Sequence, residues 1–111
     1  MMADLPSWIE AGPADAQTTL VFLHGIGGGK KGFQSSVEYF ASKGYRALAW
    51  DMPGYGDSPS TGALSFNSLA KSLELLLNKA NVQKAVLVGH SMGGMVALQA
   101  WTHYPERIEG M

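Results

Sequence analysis

Cysteine is absent from all 111 residues, which excludes disulfides, thiolate nucleophiles and cysteine-ligated metals. Charge is scarce too: Asp, Glu, Lys and Arg make up 15% of the chain, and 8 basic against 9 acidic residues leave a formal net charge of −1. So balanced a surface exerts no long-range pull on nucleic acid or an anionic membrane. No apolar run approaches the ~18 residues of a bilayer span. The opening Met1-Met2-Ala3-Asp4-Leu5-Pro6 lacks the basic start and apolar core of a secretory signal. These absences lead us to expect a cytoplasmic protein with neither nucleic acid nor membrane among its partners. What is plentiful is apolar side chain, 46% of a chain too short for two domains. Such a surplus suits strands covered on both faces.

Residues 1–17, mixed and rich in Ala, Pro and Asp, read as an irregular lead-in with room for one short strand. The domain proper takes residues 18–111. The β-branched and apolar run at 18–23 predicts a central strand. Gly27-Gly28-Gly29 marks a loop. Phe33, Val37, Phe40 and Ala41 recur at helical spacing, with Gly44 as the stop. Residues 45–50 read as a second strand, and residues 51–59 are dense in turn formers. Phe66, Leu69, Ala70, Leu73, Leu76 and Leu77 share one helical stripe, with Ser65 and Ser68 as start signals. A third strand at 85–88 ends at Gly89, and a helix from Met92 to about Tyr104 is closed by Pro105. Strands alternating with helices predict an α/β fold: part of a doubly wound, mainly parallel sheet with helices on both faces.

Gly89-His90-Ser91-Met92-Gly93-Gly94 lies between the third strand and the third helix and fits G-x-S-x-G. A sharp strand-to-helix turn holds its serine in a strained backbone region. Gly89 and Gly93 remove side chains that would collide there, and Gly94 lets the helix approach the sheet. The Met92 N–H, at the helix N-terminus, can donate to a developing oxyanion. A second donor belongs on the loop after an earlier strand, and His24-Gly25-Ile26-Gly27-Gly28-Gly29 supplies the Ile26 N–H. Asp51 can accept backbone N–H bonds and hold the turn that follows it, as scaffold rather than catalyst. Trp50, Met52 and Tyr55 are candidates for the substrate entrance, with core packing as the alternative for each.

With HGIGG, DMPGYGDS and GHSMGG in this order and spacing, the chain resembles the α/β-hydrolase fold superfamily from about Thr18 onward. The resemblance implies that Ser91 is the nucleophile and that Ile26 and Met92 furnish the oxyanion hole. His24, Gly25, Gly89, His90, Gly93, Gly94 and Asp51 would support the loops. It implies an ester, lactone or related carbonyl substrate, an acyl-enzyme, and no metal or organic cofactor. Members sharing this front half perform lactone and C–C bond hydrolysis, acyl transfer and cofactor-free peroxidation. Family members run to over twice this length, so the chain reads as an N-terminal half without the triad acid and histidine.

A serine hydroxyl is nearly inert at neutral pH without a base. His103 lies twelve residues beyond Ser91 on one helix, roughly 18 Å away at 1.5 Å per residue. It cannot serve, and reads as a surface residue near a helix C-terminus. The His90 side chain should diverge from that of Ser91. His24 is left as the histidine near the site in space, either a makeshift base or a ring hydrogen-bonded at a strand end. The open edge of the strand at 85–88 also predicts self-association of the isolated chain.

Two rivals compete. Gly27-x-Gly29-x-x-Gly32 followed nineteen residues later by Asp51 matches a dinucleotide-binding fingerprint, with Lys30 and Lys31 as phosphate ligands or, more commonly, solvated loop lysines. Its first glycine, however, stands three residues beyond the strand end, where the pyrophosphate would miss the helix start. A P-loop would need glycine at position 24, which is histidine, and Ser or Thr where Lys31 stands. The second rival is a scaffold that keeps the fold without the activity.

Overall fold

A computed structural model describes residues 5–56, 58 and 65–111. Part of the lead-in is ordered as a strand: β1 (Trp8–Ala11) pairs antiparallel with β3 (Arg46–Trp50), Trp8 facing Trp50. The irregular segment expected before the first parallel strand therefore narrows. β2 (Thr19–Leu23) lies between β3 and β4 (Ala85–Gly89), parallel to both, and β5 (Ile108–Gly110) adds to the far side of β4. The order is β1-β3-β2-β4-β5, a mainly parallel sheet with one antiparallel edge.

Alternation along β2 distributes its side chains between two cores. Leu20 and Phe22 join Val37, Ala47 and Ala49 beneath α1 (Gln34–Ser42). Val21 and Leu23 face Leu48, Trp50, Leu73, Leu76 and Val96 beneath α2 (Phe66–Lys79) and α3 (Met92–His103). The doubly wound reading holds, because each face of the sheet carries its own helices. Every β2 and β3 residue is buried, the condition that makes a parallel strand apolar throughout. Trp50 is fully buried, so of its two readings the packing one stands. No helix among the described residues is long and apolar enough to cross a membrane.

Local signals set the helix ends. A short 3-10 turn (Lys30–Phe33) precedes α1, which Gly44 stops at φ 94° while the Tyr45 N–H closes back on the Phe40 carbonyl. At α2 the Ser65 hydroxyl accepts from the Ser68 N–H at 3.0 Å and the Ser68 hydroxyl accepts from the Ser65 N–H at 2.9 Å. Losing this reciprocal cap should cost about 1 kcal/mol. Urea denaturation of Ser65→Ala will show a midpoint lowered accordingly, with an unchanged slope.

Two findings depart from expectation. The edge of β4 is not open along its length: Ala85 pairs with Ile108 and Val86 with Gly110, leaving only Leu87 to Gly89 without a strand on that side among the described residues. Phe66, placed on the buried stripe, is 40% exposed at the first turn of α2.

Arg46 ties β1 to the second helical layer: its guanidinium donates to both Glu10 carboxylate oxygens and, at 2.8 Å, to the Ala80 carbonyl. Partial burial works against the Glu10 charge, but hydrogen bonds from Arg46 and Trp8 outweigh it and hold the carboxyl below its ordinary value. A depressed folded value stabilises above the unfolded one and loses that contribution as pH falls through the folded one. Glu10→Gln should therefore destabilise the chain near neutrality, and the difference in thermal midpoints should shrink below the ordinary carboxylate range.

Candidate active site

The chain leaves β2 toward one side of the sheet and returns through β4 on the other, so strand order reverses between β2 and β4. The crevice at the carboxyl ends of two such strands is where open α/β sheets bind ligands. Here Leu23 stands opposite Gly89, and the His90 N–H donates to the Leu23 carbonyl at 3.0 Å. The loops after β2 and β4 therefore leave the sheet together.

Ser91 sits at φ 57°, ψ −117°, and it and Asn81 are the non-glycine residues at positive φ among the described residues. Such a conformation costs about 1–3 kcal/mol and persists only where its surroundings enforce it. The helix does so: the Gly93 and Gly94 N–H groups close on the His90 and Ser91 carbonyls, each at 2.9 Å. The neighbouring glycines divide the work differently from the expected scheme. A Cβ at Gly89 would lie 2.5 Å from the Gly94 nitrogen. One at Gly93 would lie 2.1 Å from the Leu23 carbonyl oxygen, whereas one at Gly94 would find only an ordinary contact at 3.8 Å. The close approach of helix to sheet belongs to Gly93, not Gly94.

The loop after β2 packs directly against the serine. A Cβ on Gly25 would stand 3.0 Å from the Ser91 Cβ and 3.2 Å from His90 Nδ1. The same loop and the exposed His90 line a cleft of about 390 Å³. Met92 opens α3, so its N–H has no acceptor within the helix. Among the described residues neither that N–H nor the Ile26 N–H is taken by a hydrogen bond. A second, largely apolar pocket of about 210 Å³ is lined by Met52, Tyr55, Ser65, Phe66, Leu69 and Met92, of which Met52, like Trp50, is fully buried in the core. Phe66 and Leu69 were legible only as a helical stripe; their place in the first turn, directly after the cap, puts them at the pocket.

His24 is buried, and both ring nitrogens are engaged, Nε2 accepting from the Met52 N–H and Nδ1 facing the Gly25 carbonyl, each at 2.9 Å. No lone pair remains for a serine proton, which removes the makeshift-base reading. His103 is exposed at the end of α3 and meets Gln99 at 2.7 Å.

Asp51 is buried and fully committed. Its Oδ1 accepts the Lys30 N–H at 2.8 Å, its Oδ2 accepts the Ser7 hydroxyl and meets the Lys30 ammonium, each at 3.0 Å, and its carbonyl accepts the Ser58 hydroxyl. A Cβ at Gly56 would overlap the carboxylate, 2.4 Å from Oδ2. Lys30 is thus neither a solvated loop lysine nor a phosphate ligand, while Lys31 is exposed. No edge of Asp51 is left for a ribose, which disposes of the dinucleotide reading. Asp57 of the DMPGYGDS segment lies outside the described residues.

Comparison with known proteins agrees with this geometry. Residues 18–111 match the model of the alpha/beta hydrolase fold family, and the chain belongs to that family. It is 37% identical to an sn-1-specific diacylglycerol lipase of Danio rerio, over 83% of this chain and 29% of the lipase. It is 43% identical to a 2-hydroxy-6-oxononadienedioate/2-hydroxy-6-oxononatrienedioate hydrolase of Paraburkholderia phymatum, over 81% of this chain and 33% of that enzyme. An epoxide hydrolase from Vigna radiata superimposes with a TM-score of 0.84 at 27% identity, covering 92% of this chain and 33% of its own. The chain spans about a third of the length of these relatives.

Proposed function

We propose that this chain carries the nucleophile and oxyanion hole of a serine hydrolase acting on ester, lactone or related carbonyl compounds. The observation that supports it most is Ser91 at positive φ on the β4–α3 turn, against a loop whose Ile26 amide, like that of Met92, is unbonded. In the proposed reaction the Ser91 Oγ adds to the carbonyl carbon as its proton passes to a general base. The carbonyl electron pair moves onto oxygen, where the Ile26 and Met92 N–H groups hold it. Collapse expels the alkoxide, which takes up the proton, and water releases the acyl group by the same steps in reverse order of partners. His24 is engaged and His103 stands at the far end of α3. The family resemblance assigns the base to a histidine in the part of the fold that the longer relatives have beyond this match.

The non-reacting part of the substrate is an apolar group in the pocket beside Met92. None of the residues lining it carries a positive charge, which favours an alkyl or acyl chain over a carboxylate. No described histidine hydrogen-bonds to Ser91, which favours one competing reading, an inert scaffold of the same fold.

Fluorophosphonate treatment at pH 9, where hydroxide can stand in for the base, separates the two. We expect adducts on Ser91 to form roughly 100-fold faster than on the exposed Ser35, from the worth of an oxyanion hole, and to vanish in Ser91→Ala. Equal rates at both serines would establish the scaffold.

A further inference from the structure

We infer that the substrate is amphipathic, with a carboxylate at its polar end, and that His90 is the side chain that selects that end. The inference rests on the reading of Ser91 as the nucleophile and names the substrate of that same site. The residues on either side of Ser91 in the chain line different cavities. Met92 belongs to the apolar pocket of about 210 Å³ and His90 to the cleft of about 390 Å³ along the glycine loop. No residue lines both. The proposed oxyanion donors divide in the same way, Met92 to the pocket and Ile26 to the cleft. A carbonyl held between those two amides carries two substituents, one for each cavity.

The cavities ask for opposite chemistry. The pocket is lined by Met52, Phe66, Leu69 and Met92 with two hydroxyl-bearing residues, Tyr55 and Ser65, and no charge. The cleft is lined by five glycines, so peptide groups form much of its surface. The Gly28 and Gly32 N–H groups are used within the loop, on the Gly25 and Gly29 carbonyls at 3.0 and 3.2 Å. Those of Gly27 and Gly29 meet no acceptor among the described residues.

Two polar side chains line the cleft, and His24 is engaged at both ring nitrogens. His90 is exposed, and its ring has no hydrogen-bond partner among the described residues. Its Nδ1 nevertheless stands over the loop, 3.2 Å from where a Cβ on Gly25 would lie, and its backbone is pinned by the bond to Leu23. No acidic side chain lines the cleft. Amides only donate, and a neutral imidazole carries one N–H in either tautomer. Such a lining fits a group rich in acceptors and without donors, which a carboxylate is.

Two fluorophosphonates test the assignment in the full 111-residue chain. Both carry a hexyl arm; the second arm ends in a carboxylate in one and in an isopropyl group of the same shape in the other. Dividing the Ser91 rate by that of the exposed Ser35 removes each probe's own reactivity. By that measure the carboxylate probe should be favoured about 10-fold in the wild-type chain, the worth of one charge-assisted hydrogen bond. The preference should fall at least about 5-fold in His90→Leu and survive in His90→Gln, which keeps a donor over the loop. A second readout needs neither variant nor labelling. Acetate, titrated against chloride at equal ionic strength, should move the Gly27 and Gly29 amide and His90 ring resonances and leave those of Leu69 and Leu73 in place.

A wild-type chain that prefers neither probe, or a preference that His90→Leu leaves intact, would overturn the proposal. So would acetate shifts that miss the cleft. If Ser91 labels with neither probe, the nucleophile reading has failed, and the acetate titration alone decides what the cleft binds.

Discussion

Gly93→Ala will destabilise the chain by at least about 3 kcal/mol, while Gly94→Ala, one residue on, will leave it as stable or raise it by about 0.5–1 kcal/mol. The contrast follows from where a single methyl group would land. At Gly93 it would meet the Leu23 carbonyl oxygen at 2.1 Å, and neither partner is a side chain that can swing away. Helix α3 would have to lift off β2, carrying with it Val96, Ala97 and Ala100 of the main core. At Gly94 the nearest atom is at 3.8 Å, and alanine in a helix interior loses less chain entropy than glycine. A small domain has only about 5–15 kcal/mol of stability in total. Guanidinium denaturation of the two variants side by side will therefore show a large fall in midpoint for one and none for the other.

Asp51→Asn will cost about 1.5–3 kcal/mol, because it removes the charge that the Lys30 ammonium meets at 3.0 Å in a setting where 11% of that side chain is exposed. Lys30→Met alone will cost less, since Asp51 keeps the Lys30 N–H and the Ser7 hydroxyl as donors. The double variant will be more stable than the sum of the two, with a favourable coupling above about 1 kcal/mol. A thermodynamic cycle built from urea melts measures it. The same cycle reports on the site, because this ion pair ties together the loop after β2, the turn after β3 and the segment before β1. An additive cycle would mean that the pair contributes nothing of its own.

Much of this architecture could be read before any coordinates. The strands β2 and β3 are largely apolar because they are buried on both faces, β4 is apolar although Val88 is exposed, and the stripe of Leu69, Leu73 and Leu76 has the period of a helix. The three glycine-bearing loops stood out because their spacing has chemical reasons. What escaped depends on contacts between distant residues. The lead-in left room for one short strand, but its place at Trp8-Ile9-Glu10-Ala11 and its antiparallel sense come from pairing with β3. Lys30 looks like any loop lysine until Asp51, twenty-one residues later, folds against it. Which of two adjacent glycines touches the sheet is a matter of helix phase, which the sequence of α3 does not set. The bonds of His24 needed the position of Met52, and the exposure of Phe66 needed the pocket beside Met92.

The central claim is that Ser91 is raised beside two waiting amides, and the amide spectrum of its phosphonate adduct tests this most directly. A phosphoryl oxygen seated between them should draw the Ile26 and Met92 N–H resonances strongly downfield. Those of Gly93 and Gly94, already bonded to the His90 and Ser91 carbonyls, should barely move. An adduct on Ser91 that leaves Ile26 and Met92 where they were, or moves all four alike, would contradict the account.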